Sequence, residues 1–353
     1  MPNIYARNVS EALYTGLNLL KSEGIWQKSR SGLVIEYPTP VMTVYTAPQE
    51  RVLFYPQRDA NPFFHLFEAF WMLGGRNDLE FVNRFNRRMK EFSDDGETLN
   101  GAYGHRWRNY WKKDQLDLLV DHLQDQPDSR RAVLQMWSTE DLQKIVDEPA
   151  CKDVPCNTQV YFKIRQECLQ MTVTCRSNDI IWGTYGANAV HFSILQEYVA
   201  ARLGIAIGTY YHLSDSFHAY EKVFNKTCEI LEQKDPGDTL WYDSYLGWNK
   251  GMHYSPEPIF DRPSFIDDDL YLFLNQPFLS QLQLFDHSIA KAIYRNSFFP
   301  ETALPMLRAW DAYKRKQYEE AIDYLQNVPA LDWQKAAIEW LERRRKQWES
   351  KKQ

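Results

Sequence analysis

The sequence predicts an α/β protein that ends in a helical extension, and three observations carry that prediction. Short segments alternating apolar and polar residues, the signature of half-buried strands, recur through the middle of the chain. Helix-spaced apolar stripes, several of them closed by glycine, fall before, between and after those segments. Beyond Pro305 only helical spacing remains.

The elements follow in order. Asn8 to Ser22 carries Ala12, Leu13, Leu17, Leu19 and Leu20 and reads as an amphipathic helix stopped near Gly24. Gly32 to Tyr45 alternates Val34, Ile35, Tyr37, Val41, Thr43 and Tyr45 around a pair of prolines, which reads as strand, turn, strand. Pro62 to Leu73 is apolar almost all round, the pattern of a buried helix, and Gly74-Gly75 supplies its C-cap. Arg131 to Trp137, Gln159 to Ile164 and Leu169 to Cys175 read as strands. His191 to Arg202 reads as a helix closed by Gly204, and Gly208 to Leu213, rich in Tyr and Thr, as a further strand. After Tyr220 the pattern is mostly helical. In the tail, Leu307, Trp310 and Tyr313 are followed by Tyr318, Ala321, Ile322 and Leu325, and Pro329 breaks the run. Asp332 is expected to cap a last helix with Trp333, Ala336, Ala337, Trp340 and Leu341 on one side.

Composition narrows the function classes. Apolar residues make up 44% and charged residues 25% of 353, an ordinary globular balance. The net charge of −6 argues against a nucleic-acid binder, so any anion site must be a local basic cluster. The five cysteines are odd in number and contain no C-x-x-C pair, which favours neither a disulfide framework nor a zinc site. Met1-Pro2-Asn3-Ile4 has no signal-peptide character and no apolar run approaches a membrane span. A reducing cytoplasm is the expected location, a host's cytoplasm if the source is viral.

Two short motifs point to chemistry. Pro155-Cys156-Asn157 precedes an apolar strand and suits a nucleophile better than a disulfide. Arg176-Ser177-Asn178-Asp179 ends the next strand, where a guanidinium and a hydroxyl can hold a dianionic phosphate. Glu68 lies in the buried helix among Phe63, Phe64, Phe67, Phe70 and Trp71, and a carboxylate there must find partners or change its pKa. Each has a plainer reading: a buried structural cysteine, an exposed basic turn at Arg130-Arg131, an exposed helix edge at Glu68, an ordinary strand end at His218 and Tyr220.

From Arg30 to Tyr220 the order of motifs resembles the thymidylate synthase superfamily, which includes the pyrimidine nucleotide hydroxymethylases. Arg30-Ser31-Gly32 is similar to its Arg-Thr-Gly phosphate loop. Glu68, Trp71 and Leu73-Gly74-Gly75 are similar to its Glu-Leu-Leu-Trp-Phe-Leu-Ser-Gly helix, and Ala102-Tyr103-Gly104-His105-Arg106-Trp107-Arg108 to its Val-Tyr-Gly-x-x-Trp-Arg segment. Ser129-Arg130-Arg131, Pro155-Cys156, Arg176-Ser177-x-Asp179, Gly183, Asn188 and His218-Ala219-Tyr220 complete the series.

The resemblance implies a mixed, mostly antiparallel sheet flanked by helices, with a catalytic domain over residues 1–300 and a helical extension over 301–353. It implies folate-dependent one-carbon transfer to carbon 5 of a pyrimidine nucleoside monophosphate, with 5,10-methylenetetrahydrofolate as cofactor. Cys156 would be the nucleophile at carbon 6, and Glu68, with Asn188 and Asp179, would complete the catalytic set. Arg30, Arg130, Arg131, Arg176 and Ser177 would hold the phosphate, and His218 and Tyr220 the sugar. Trp71, Asp179 and Gly183 would face the folate. A homodimer with shared active sites is implied, Arg130 and Arg131 reaching across the interface.

Asn188 would read the base, since a carboxamide can both donate and accept and so suits the N3–H and O4 of uracil. Between Gly183 and Asn188 the chain has one residue more than the family spacing. Asn188 takes the reading position if Phe192 and the following helix stay in register through Gly208; with the extra residue elsewhere, Ala187 takes it.

The departures shape the product expectation. Asn157 stands where synthases have His, Cys175 where they have Gln, and Ser214-Asp215-Ser216 replaces Gly-Gly-Asp. Thr184-Tyr185-Gly186-Ala187 replaces Leu-Pro-Phe, and Trp348 to Gln353 shows no trace of the synthases' apolar terminus, which closes over the folate. Water addition is therefore expected over hydride addition, giving a deoxyuridylate hydroxymethylase. Thymidylate synthase and cytidylate hydroxymethylase are the alternatives, and a catalytically inactive nucleotide-binding homologue is the alternative from another class.

Overall fold

The structure is a computed structural model and describes residues 1–232, 256–275 and 287–352. The edge strand β1 (Asn3–Ala6) leads into α1 (Val9–Glu23), which starts where it does because the Asn8 side chain accepts the backbone N–H groups of Ser10 and Glu11. The strands β2 (Ile25–Ser29), β3 (Gly32–Glu36) and β4 (Val41–Tyr45) follow. Helix α2 (Pro62–Leu73) is capped by Asn61, has Pro62 in its first turn and buries every one of its residues. Short helices α3 (Leu79–Asn83), α4 (Tyr103–Arg108) and α5 (Gln115–Asp125) lead to β5 (Ala132–Gln135) and α6 (Thr139–Asp147). The long hairpin of β6 (Asn157–Arg165) and β7 (Cys168–Cys175) turns through Gln166 and Glu167, both at positive φ as a tight hairpin turn demands. After β8 (Asn178–Asp179) come α7 (Asn188–Leu203), β9 (Ala206–Ser214), β10 (Phe217–Tyr220) and α8 (Glu221–Thr227).

These strands make two mixed sheets. The larger has six strands in the order β1-β4-β9-β7-β6-β5, and the smaller four in the order β2-β3-β10-β8. In the larger sheet β1–β4 and β7–β9 are parallel and the other pairs antiparallel. Alternation fixes the faces: Leu169, Met171, Val173 and Cys175 of β7 point into the core, while their neighbours stay half-buried. Helix α7 crosses that inner face and is buried from Asn188 to Ala200.

The expected strands and helices are present, with informative differences. Neither β1 nor β2 was expected. β1 alternates exposed and buried positions over only four residues, too few to stand out as a period, and β2 is exposed along its whole length. Helix α7 begins at Asn188 rather than His191. Asp332 lies in the first turn of the last helix, Leu331–Ser350, with Ala330 at the cap position. The helical expectation beyond Tyr220 also covers residues 233–255 and 276–286, which lie outside the described residues.

The C-terminal helices share the main core. Phe63 of α2 packs against Trp310 and Trp340 with ring centroids 5.5 and 5.8 Å away, and the Trp310 indole N–H donates to the carbonyl of Arg84 at 3.1 Å. Among the described residues no helix is long and apolar enough to cross a membrane.

Helices α4 and α2 approach each other closely at Gly104. A Cβ on Gly104 would stand 1.7 Å from the carbonyl oxygen of Met72. Gly104→Ala therefore forces the two helices apart and should cost about 3 kcal/mol or more, read as a lowered denaturation midpoint in urea. An unchanged midpoint would mean that the approach is loose.

Candidate active site

The thiol sits at the start of β6, where the strand is irregular. Asn157 pairs with Cys175, but the register shifts between Asn157 and Gln159, the kind of bulge that re-aims a side chain. Arg176, at the end of β7, holds the loop before the thiol in place. Its Nε donates to the Pro155 carbonyl at 3.1 Å and its Nη2 to the Val154 carbonyl at 3.4 Å. The same Nη2 lies 3.9 Å from the Cys156 sulfur, and the guanidinium stacks over Trp137 at 5.1 Å. Arg30 comes from the β2–β3 turn, where Gly32 at φ +123° takes a conformation that side chains resist. Its Nη1 donates to the Cys151 carbonyl at 2.7 Å. Asp153 fastens the loop from the other side, accepting the backbone N–H groups of Asn100 and Gly101 at 2.6 and 2.7 Å. Burial pushes the Cys156 thiol above its ordinary pKa, while Arg176 and Arg30 pull it down. Cys175, fully buried beside it, is pushed up much further.

A buried polar chain joins β8, β9 and α7. The Asn188 amide nitrogen donates to Asn178 Oδ1 at 3.1 Å. Asn178 Nδ2 lies 2.7 Å from His212 Nε2 and 3.0 Å from Ser214 Oγ, and His212 Nδ1 meets the Tyr210 hydroxyl. All are buried, His212 completely, and burial pushes His212 down to about 3, so the imidazole is neutral at physiological pH. With Asn178 donating, His212 accepts through Nε2 and donates through Nδ1.

A wide turn leads into this contact. Residues Ile180–Ala187 form a π-helical segment with non-helical backbone at Tyr185 and Gly186, running directly into α7. At the end of that turn the Asn188 amide faces Asn178. Gly183 keeps this junction open, because a Cβ there would lie 2.6 Å from Asn178 Oδ1.

Glu68 and His191 meet next to this chain. Asn188 and His191 are three residues apart on α7 and share a face. His191 Nε2 lies 3.1 Å from Glu68 Oε2, yet neither atom has a well-directed hydrogen bond among the described residues, so a buried carboxylate oxygen and a buried ring nitrogen confront each other without being spent. Tyr103 stacks on Phe192 at 5.7 Å, and both Cys156 and Cys175 bear on its phenol.

Asp179 is the strand partner of His218. Burial pushes its carboxyl up, with His218 and Arg58 opposing. Arg58 donates Nε to the carbonyl of Ile181 and lies 4.6 Å from the ring centre of Trp182, which is 47% exposed.

Not every expected residue converges. Arg130 and Arg131 are exposed in the α5–β5 turn, at the far end of β5 from Cys156, roughly 20 Å away at the rise of a strand. Trp71, expected to face folate, is only 2% exposed and donates its indole N–H to the Asp78 carbonyl at 3.2 Å, so it is a core residue. Ser177 and Tyr220 lie half-buried beside Arg176 and His218 in sequence, and the His218 and Tyr220 rings meet edge-on at 5.5 Å. Sequence reasoning gave no role to Asn178, His212, His191, Tyr103 or Arg58. The signal for His212 was available: in β9 it alternates with Tyr210 and Ser214 on the inward face, where three polar groups in succession need partners.

A thiol beside an arginine at the sheet, a buried carboxamide on α7 and a buried carboxylate on α2 are the groups of an enzyme site. The thymidylate synthase family profile matches residues 22–242. The deoxyuridylate hydroxymethyltransferase of Pseudomonas phage M6 is 44% identical, over all of this chain and 97% of its own. The proteins of the same name from Bacillus phage SP01 and Delftia phage PhiW-14 are 38% and 31% identical, over 51% and 66% of this chain and 49% and 65% of theirs. The chain belongs to the thymidylate synthase family.

The opposing influences on Cys156 can be separated by alkylation. Free enzyme treated with iodoacetamide should modify Cys156 with a pH midpoint above that of an ordinary thiol, while Cys175 stays protected by burial. Arg176→Ala or Arg30→Ala removes a positive charge that favours the thiolate, so the midpoint should rise and modification at pH 8 should slow. A midpoint that fell in either variant would contradict the electrostatic assignment.

Proposed function

We propose that this chain is a folate-dependent deoxyuridylate hydroxymethyltransferase, converting dUMP to 5-hydroxymethyl-dUMP. The observation that carries the reading is the pairing of an Asn188 carboxamide held by Asn178 with a Cys156 thiol whose charge Arg176 and Arg30 favour. The full-length likeness to the phage M6 enzyme of that name supports the product assignment.

Arg30, Arg176 and Ser177 hold the phosphate, and the bonds of both arginines to carbonyls of the Cys156 loop couple phosphate binding to thiol placement. His218 and Tyr220 hold the sugar hydroxyl. Asn188 Oδ1 takes the N3–H of uracil, because the amide nitrogen is turned toward Asn178. The remaining N–H of that amide serves O4. The Cys156 thiolate adds to carbon 6, which makes carbon 5 nucleophilic. When bound, 5,10-methylenetetrahydrofolate supplies the one-carbon unit.

The residues on this side suit a folate. Trp182 offers an exposed ring, Gly183 leaves space, and the Asp179 carboxylate can accept pterin N–H groups, with Trp71 backing them from the core. Glu68 and His191 present unspent polar atoms that can hold a water and move its proton. Carbon 5 gives up its proton in exchange for the one-carbon unit, and departure of tetrahydrofolate would leave an exocyclic methylene to which water adds its oxygen. The Cys156–carbon 6 bond then breaks, which returns the 5,6 double bond and the thiolate, and the protons from carbon 5 and from the water balance the two nitrogens freed on tetrahydrofolate.

A homodimer follows the same reading. Val133 and Tyr161 are strand partners on the face of β5 and β6 opposite the core, each 40% exposed, and a second copy against that face would bring its own Arg130 and Arg131 to the phosphate. Residues 1–300 form the catalytic domain in this proposal and 301–353 its helical extension.

Mass spectrometry of the product tests the function. From dUMP the expected product is heavier by a hydroxymethyl group in place of hydrogen, with no absorbance rise from dihydrofolate. A product heavier by a methylene with that rise would make the protein a thymidylate synthase. Cys156→Ser should lower tritium release from carbon 5 by orders of magnitude while dUMP binding persists. Tight dUMP binding without any tritium release in the unaltered enzyme would point to an inactive homologue.

Base choice is testable by equilibrium binding alone. Asn188→Asp should weaken dUMP and favour dCMP, shifting the affinity ratio by about 100-fold, since mismatched buried groups stay unpaired. An unchanged ratio would remove Asn188 from base reading.

A further inference from the structure

The C-terminal helix Leu331–Ser350 has no part in the reading above, yet it grips the loop beside the site. Arg343 Nη1 donates to Asp59 Oδ1 at 2.6 Å, and Arg344 Nη2 donates to both Asp59 oxygens at 2.7 and 2.8 Å. Asp59 is the left-handed residue, φ +51°, that ends the turn Pro56–Arg58 and starts the approach to α2. Its neighbour Arg58 is the residue under Trp182. With the carboxylate of Asp59 committed to the tail, Arg58 has no acid adjacent in sequence to turn to, and its guanidinium runs inward instead. There its Nε reaches the Ile181 carbonyl, its plane lies near the Trp182 ring, and its Nη1 and Nη2 have no hydrogen-bond partner among the described residues. A Cβ on Gly186 would stand 2.7 Å from Arg58 Nη2, so Arg58 also props the wide turn that feeds Asn188.

Burial costs this guanidinium enough to lower its pKa to about 10, with Asp179 and Asp59 opposing. A buried cation with one hydrogen bond keeps its place only if the backbone that presents it is fixed. The tail fixes that backbone.

We propose that the C-terminal helix is a positioning element of the active site, in which Arg343 and Arg344 hold Asp59 so that Arg58 supports Trp182 and the 180–187 turn. The idea rests on the folate-side assignment above for its kinetic consequence, but the contact chain stands on the geometry alone. Arg58, Arg343 and Arg344 are positioning residues and touch no reacting atom.

The test uses the full chain. Asp59→Asn removes the charge and keeps the backbone conformation, because Asn also tolerates the left-handed region. Arg343→Ala/Arg344→Ala breaks the contact from the other side, and Arg343→Lys/Arg344→Lys restores the charge. Amide hydrogen exchange of residues 180–187 should speed up by about tenfold in Asp59→Asn and in the double alanine variant, and return toward normal in the double lysine variant. KM for the folate should rise by about tenfold, with the dUMP dissociation constant within about twofold of the unaltered protein. Normal exchange across 180–187 in Asp59→Asn would overturn the proposal, as would equal losses for folate and dUMP. If the unaltered enzyme fails to turn over dUMP, the functional reading fails, and the exchange measurement still decides the contact chain.

Discussion

The chemistry of this site depends on how Arg176 is held. Its backbone N–H donates to the Cys156 carbonyl at 3.0 Å, its side chain holds the two preceding carbonyls, and Trp137 supports its plane. One residue thus sets the path of the loop that presents the thiol and supplies the charge that opposes the thiol's burial. Thiol placement and local positive charge cannot vary independently, because both run through this side chain. The β6–β7 register enforces it: Asn157 opposite Cys175 puts Cys156 opposite Arg176.

What the sequence made legible follows from range. Cys156, Arg176, Asp179 and Glu68 sit in short motifs or in strongly patterned elements, so their neighbours along the chain announce them. The His212–Asn178–Asn188 chain joins three elements distant in sequence, and no window contains it. Trp71 shows the opposite error: it lies on α2 a turn from Glu68, but α2 is buried on every side, so closeness to Glu68 does not imply exposure to a ligand. Arg130 and Arg131 lie at the other end of their strand, which is why one subunit alone cannot assemble the whole anion site in the proposed reading. β2 escaped notice because it gains its pairing from β3 and not from burial.

The approach to Asn188 illustrates how chain length can be tuned before a helix. One residue added within α7 would rotate every later residue by about 100° and turn the buried face outward. The wide turn Ile180–Ala187 takes up chain ahead of the helix instead and confines the non-helical backbone to two residues, Tyr185 and Gly186. The cost is local and offset in part, since Tyr185 is fully buried and bonds Thr43 at 2.9 Å. The Asn188 amide and the helix behind it keep their places.

Helix α2 links these parts. One end approaches α4 so closely that only glycine fits, its middle presents Glu68 to His191, and Phe63 near its start lies under Trp310 and Trp340. Glu68 is buried on this helix with its Oε2 facing His191 Nε2, so its setting depends on how α2 is held. The C-terminal helices help to hold it, because Trp310 and Trp340 pack on Phe63 of the same helix. Parts of the chain that sequence pattern alone would separate therefore share one core.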